Sequence, residues 1–166
     1  KELIEKFVRI RPNSKWIILG EGVAASERQL WSAWISLGRR IKNGNMLSKK
    51  EDVEFLRLLA GTHQISSALE RTSVRTYDKI FWIAYLPDWS NEHLELPMLT
   101  EINWKEREKE IQKIMIQLNC KSKQLRPHPT ELGIKRLGLN IDESLTVEEI
   151  EMHFLSHIAC SDLNLN

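Results

Sequence analysis

Lys79-Ile80-Phe81-Trp82-Ile83-Ala84-Tyr85-Leu86 is the stretch on which the fold turns. It is β-branched, aromatic and nearly continuous, the pattern of a central strand covered on both faces. Pro87-Asp88 ends it. Upstream, Lys15 to Leu19 (Lys-Trp-Ile-Ile-Leu) and Phe7 to Ile10 read as two further short strands, parted by the turn residues Pro12-Asn13-Ser14. Downstream, Pro97 to Ile102 reads as a fourth. The first and last links between strands are short, which favours antiparallel pairing over a doubly wound sheet.

Helices fill the remainder. Ser26-Glu27-Arg28-Gln29 has the spacing of a capping box, and Leu30, Trp34, Leu37 and Ile41 follow on one helical face until Asn43-Gly44-Asn45. Arg39 points to the opposite side. Ser48 to Glu51 repeats the box ahead of a helix from Asp52 to Ala60 that is apolar in several directions, so it is expected to be buried on more than one side. Gln64 to Arg71 continues helically with Ile65, Ala68 and Leu69 inward. A third box, Asn103 to Glu106, opens a helix with Trp104, Ile111, Ile114, Met115 and Leu118 on one face. A short helix is expected from Glu131 to Leu137, stopped by Gly138. A fourth box at Thr146 to Glu149 opens a last helix with Val147, Ile150, Phe154 and Ile158 inward. The expected fold is therefore α+β: a small, mostly antiparallel or mixed four-stranded sheet packed with helices, one domain over residues 1–166.

Composition narrows the function. The 166 residues carry 24 Lys+Arg and 23 Asp+Glu, so 24 − 23 leaves a formal charge of +1, which excludes a histone-like protein. With 42% hydrophobic and 28% charged residues the balance is that of a globular domain rather than a disordered one. The longest strongly apolar run, Ile80 to Leu86, falls far short of the ~20 residues of a membrane span. Lys1 to Lys6 mixes charges where a signal peptide needs an uncharged core. Cys120 and Cys160 lack zinc-ribbon spacing. A soluble cytoplasmic domain is the expectation.

Charge is nonetheless uneven. Arg28, Arg39, Arg40, Lys42, Lys49 and Lys50 fall in a segment without an acid, whereas Asp142, Glu143, Glu148, Glu149, Glu151 and Asp162 follow Arg136 without a Lys or Arg. Such a split suits a polyanion on one side, and it equally suits two solvated faces. No catalytic constellation stands out. GxGxxG and GxxxxGK are absent, and no serine sits in a GxSxG elbow. His153 and His157 lie four apart on a helix, but Phe154 stands where a zinc protease needs its glutamate. Neither enzyme chemistry, nor a metal, nor a cofactor is expected.

At Leu59-Ala60-Gly61-Thr62-His63-Gln64-Ile65-Ser66-Ser67-Ala68-Leu69 a family comes into view. The Gly-Thr-x-Gln-Ile-x-x-Ala-Leu segment follows a helix with Glu54-Phe55-Leu56, and an earlier helix carries Gln29 and Ala33. This resembles the Cgi-type subunit of the KEOPS tRNA-modification complex, the family of the PRPK-binding protein. The resemblance covers about residues 15 to 86, and the terminal helix through Leu163 more loosely; residues 119–145 fall outside it. It implies a non-enzymatic subunit that binds the small atypical Bud-type kinase. Through that kinase it would meet the Kae-type transferase that makes threonylcarbamoyl-adenosine on tRNA. It also implies a hand in holding the tRNA 3′ CCA end.

For that role Gly61 lets backbone approach closely, a helix N-terminus offers N–H donors, Gln64 can read a base edge and Ile65 can pack on a base. The plainer assignment makes Gly61 a helix stop, Gln64 a cap and Ile65 core. The expected tRNA-binding residues are Gly61, Thr62, Gln64 and Ile65 with Arg39, Arg40 and Lys42. By resemblance the terminal helix meets the kinase, through Leu155, Ala159 and Leu163 beside its core face. The competing expectation is a homodimeric α+β regulatory or small-ligand-binding module whose same loop takes a small anion.

Overall fold

The computed structural model of the chain describes residues 2–90, 98–141 and 145–163. Its organising element is a two-stranded antiparallel ribbon. Strand β1 (Trp16–Leu19) pairs with β2 (Trp82–Tyr85), Trp16 opposite Tyr85 and Leu19 opposite Trp82. Because side chains alternate along a strand, the ribbon divides two apolar clusters. Ile17 and Leu19 join Trp34, Leu37, Phe55, Leu58, Leu59, Phe154 and Ile158 on one side, with Trp82 and Ala84 packed against them. Trp16 and Ile18 join Phe7, Ile114 and Leu118 on the other, with Phe81, Ile83 and Tyr85 alongside. The ribbon is thus covered on both faces as expected, but β1 rather than β2 is the fully buried strand.

The first side is built by α2 (Glu27–Asn43), α3 (Glu51–Leu59) and α7 (Val147–Leu163), with α4 (Ile65–Thr72) packed on α3 and α6 (Glu131–Leu137) on α4. The second is built by α1 (Glu2–Ile10) against α5 (Trp104–Leu118). At three of the four capping boxes the cap itself forms, and at Thr146 the Glu149 carboxylate also accepts from the cap N–H, completing the box. Ser26, Asn103 and Thr146 each accept a hydrogen bond from the backbone N–H three residues on. The box at Ser48 does not. There, α3 begins after Lys50 with no side-chain cap, and the preceding loop is bound from inside the protein, because the Leu47 and Ser48 N–H groups donate to Glu54.

The expected four-stranded sheet resolves into two separate pairs. β3 (Trp89–Ser90) pairs with β4 (Met98–Leu99), and this hairpin docks on α2 rather than on the ribbon. Trp89 stacks on Trp34 at 3.6 Å between ring centroids, in a slot that Gly38 leaves open for lack of a Cβ. Pro97, the expected start of the fourth strand, lies outside the described residues. The strand expected at Phe7 to Ile10 is the end of α1, because the apolar spacing is three to four rather than two: Phe7 is buried, Leu3 and Ile10 pack beside it, and Val8 and Arg9 face outward.

Charge inside the helical layer ties these elements together. Glu54 is fully buried, and its Oε1 accepts from Arg57 Nη2 at 2.7 Å and Nε at 3.1 Å. Arg40 of α2 lies 3.7 Å away and also donates to the carbonyls of Asn45 and Ser161. Removing one member of a buried charge cluster strands the others in a medium that cannot hydrate them. Glu54→Ala should therefore cost about 3–5 kcal/mol in a urea melt, whereas Glu108→Ala on the exposed side of α5 should stay within about 0.5 kcal/mol.

Candidate nucleic-acid interface

The Gly61–Ile65 segment leaves α3 and enters α4. Gly61 has φ +59, a left-handed conformation that makes it the stop of α3, and a Cβ at this position would run into the His157 imidazole. Behind it the backbone is held from three sides. Arg57 donates to the Thr62 carbonyl at 2.9 Å. Arg71 donates to the carbonyl of Ala60 at 2.9 Å and to that of Leu137 at 3.2 Å. His157 Nε2 lies 3.0 Å from the same Ala60 oxygen, an acceptor, so that nitrogen carries the proton.

In front the segment is open. His63, Gln64, Ile65 and Ser66 are exposed, and Thr62 is half-buried. Ile65 and Leu69, both expected inward, are 38% and 39% exposed, one helical turn apart; only Ala68 of the three faces the core. The Gln64 backbone N–H donates to the Thr62 hydroxyl, and its side-chain oxygen accepts from Ser67. That side chain does not cap α4, so it is not the helix cap the plainer assignment made of it. The α4 start consequently presents main-chain N–H groups and the positive end of the helix dipole beside an apolar step.

The basic segment divides. Arg39 and Lys42 are exposed on α2, but Arg40 is 1% exposed and bound to the Glu54 cluster, so it does not belong to a surface patch. The expectation that Arg40 contacts tRNA fails on burial: two successive helical residues point about 100° apart, and here the second faces α3.

On α7, Phe154 and Ile158 are buried as expected, Leu155 is half-buried and Ala159 exposed. Leu163 ends the helix, and its side chain lies outside the described residues, as do Asp142, Glu143 and the side chain of Asp162. Val147, expected inward, is 63% exposed. His153 is exposed and His157 is occupied by Ala60; among the described residues no group of His, Cys, Asp or Glu is arranged to hold a metal ion. Nor is any described helix long and apolar enough to cross a membrane. Arg57, Arg71 and His157, which fix the loop from behind, were not among the expected residues. One signal for the first of them was present: Glu54 and Arg57 stand three apart and are the charged residues of the otherwise apolar run Val53 to Leu59.

Compared with known proteins, this chain matches no family model and no curated protein sequence.

His157 is held below the ordinary histidine range, chiefly because burial strips water from the charged ring and also because Arg71 stands close; the Ala60 carbonyl acts in the opposite direction. The folded protein thus binds that proton less readily than the unfolded chain, which takes it up near pH 6.5. The neutral ring's contribution to stability is complete above that pH and diminishes as pH falls below it towards the folded value. Denaturant midpoints at pH 8 and pH 5.5 should differ more for the wild type than for His157→Gln. An identical pH dependence in both would show that His157 does not titrate in this window.

Proposed function

We propose that this chain is a non-catalytic subunit of a KEOPS-type complex that holds the tRNA 3′ CCA end and docks the small atypical Bud-type kinase, through which it meets the Kae-type transferase in the cytoplasm. The observation that carries the reading is the presentation of Ile65. An apolar residue stands exposed at the first position of α4 with Leu69 beside it, while the backbone behind is fixed by Arg57, Arg71 and His157. A single-stranded RNA end is recognised by surfaces on which an unstacked base can lie, with main-chain donors nearby for phosphate or base edges. Fixing the backbone beforehand lowers the ordering cost of such binding. The likeness of Gly61 to Leu69 to the Cgi-type segment supports the same reading. Of the basic residues, Arg39 and Lys42 supply phosphate contacts, and Arg40 a structural anchor.

The tRNA half is checked by anisotropy with full-length tRNA and with tRNA lacking CCA. Ile65→Glu should weaken binding of the intact tRNA roughly tenfold, about 1.4 kcal/mol, with unaltered circular dichroism. Loss of CCA should weaken the wild type by a similar factor and the variant by little more, since both remove one contact. A folded variant that binds intact tRNA at wild-type strength takes the loop out of the site.

The kinase half rests on α7, where Ala159 is exposed and Leu155 half-buried next to the core residues Phe154 and Ile158. A small residue beside a larger apolar one permits close approach of a partner. Ala159→Arg adds bulk and charge without touching the core. It should abolish co-purification of the kinase and leave tRNA affinity unchanged. Wild-type recovery of the kinase would place the interface on another surface.

A further inference from the structure

Among the described residues, strand β2 pairs along only one of its edges. The Leu86 N–H donates to the Lys15 carbonyl at 2.8 Å, which sets the parity of the ladder: Ala84 and Trp82 face β1, and Ile83 and Tyr85 turn their N–H and C=O groups the other way. Among the described residues no backbone group pairs with Ile83 or Tyr85 on that outer edge. An open edge of this kind is a template for another strand unless something covers it.

Beside the start of β2 lies an open groove of about 400 Å³, bounded by residues 79–83, by α5 and by the segment after Cys120; Tyr85 lies beyond its lining. Its apolar lining includes Phe81, Ile83 and Ile111, and its margin carries Lys79, Lys121 and Lys123, all three exposed. Among the described residues no carboxylate forms an ion pair with any of these ammonium groups. The Glu21 carboxylate accepts from the Lys79 backbone N–H at 2.7 Å, so it is at Lys121 and Lys123 that the margin of this cleft, beside apolar positions two residues apart, is positive.

We infer that this groove receives an extended acidic segment of a partner protein, which adds a strand to β2. Main-chain hydrogen bonds to Ile83 hold the segment in register. Its apolar side chains enter between β2 and α5, and Asp or Glu side chains alternating with them meet the lysines. A nucleic-acid strand fits less well. Phosphates would satisfy the lysines, but a phosphodiester chain has no donors at strand spacing for the outward carbonyls. The partner need not be the kinase, and the inference does not depend on the role of the Gly61 loop.

The test is selection from a phage-displayed library of random ten-residue peptides on the intact chain. The selected peptides should alternate Asp or Glu with apolar residues. Lys121→Glu combined with Lys123→Glu, which alters only exposed positions, should weaken the best peptide at least tenfold with unchanged circular dichroism. Binding should also slow hydrogen exchange of the Ile83 amide. Selected peptides without acidic preference, undiminished binding by the double variant, or unprotected Ile83 would each overturn the proposal. So would displacement of the peptide by a ten-nucleotide oligouridylate at similar concentration, which would mark the groove as a nucleic-acid site.

Discussion

A single buried carboxylate sets the geometry of the helical layer. Glu54 accepts from Arg57, lies beside Arg40, and takes the N–H groups of Leu47 and Ser48. Through these bonds it fixes how α2 meets α3 and where the connecting loop runs. Arg40 extends the same network to the Ser161 carbonyl on α7, and Arg57 extends it to Thr62. Apolar packing between the same helices supplies most of the free energy, but it is tolerant of sliding and rotation. Buried charges are not, because each donor that loses its acceptor is left dry. The register of three helices and the exit path of the Gly61 loop therefore follow from one side chain.

A second buried ion pair does the same work around the ribbon. Arg136 of α6 reaches Asp78 and the carbonyl of Glu21, and Asp78 in turn accepts from the Glu21 and Arg75 N–H groups. A Cβ on Gly20 would overlap the Arg136 guanidinium, so the turn after β1 is shaped to let that side chain pass. The exit of β1 and the approach to β2 are consequently held by an element that contacts neither strand's ladder. A ribbon of two four-residue strands is marginal in water by itself. Here it persists because both faces are covered and the end where Leu19 meets Trp82 is clamped.

The parts of this fold legible in the sequence are those where local chemistry and packing agree. The second helix, from its Ser26 cap to Gly44, and the sixth, from Thr130 to Gly138, have the expected limits because cap, periodicity and left-handed stop all coincide. Misreadings arise where a short pattern satisfies two periods. Phe7 to Ile10 alternates well enough for a strand, and only Leu3, a turn earlier, reveals the helix. They also arise at first helical positions. Trp104, Val147 and Ile65 continue the apolar stripe of their helices, yet each is the first residue of its helix and overhangs the end of the core. Periodicity assigns a direction around the axis and says nothing about where the core stops along it. The candidate loop was legible as a glycine stop followed by a helix start. Its support from Arg71 and His157 was not, since that comes from residues 11 and 97 positions away from Ala60.

The placement of the two surfaces has a physical consequence. The Gly61 loop is rooted in the cluster that contains Leu59 and Ile158, whereas the groove opens onto the cluster lined by Phe81, Ile83 and Ile111. The ribbon stands between them. A ligand on one surface thus has no side chain in common with a ligand on the other, and simultaneous binding meets no steric conflict within this chain. Any coupling would have to pass through the β1–β2 ladder or its clamps. A four-pair ladder packed on both faces and held by Arg136 has little freedom to adopt a second arrangement, and without two arrangements an element cannot transmit a preference. Two ligands should therefore bind this chain additively, which suits the proposed role of holding components together rather than switching between them.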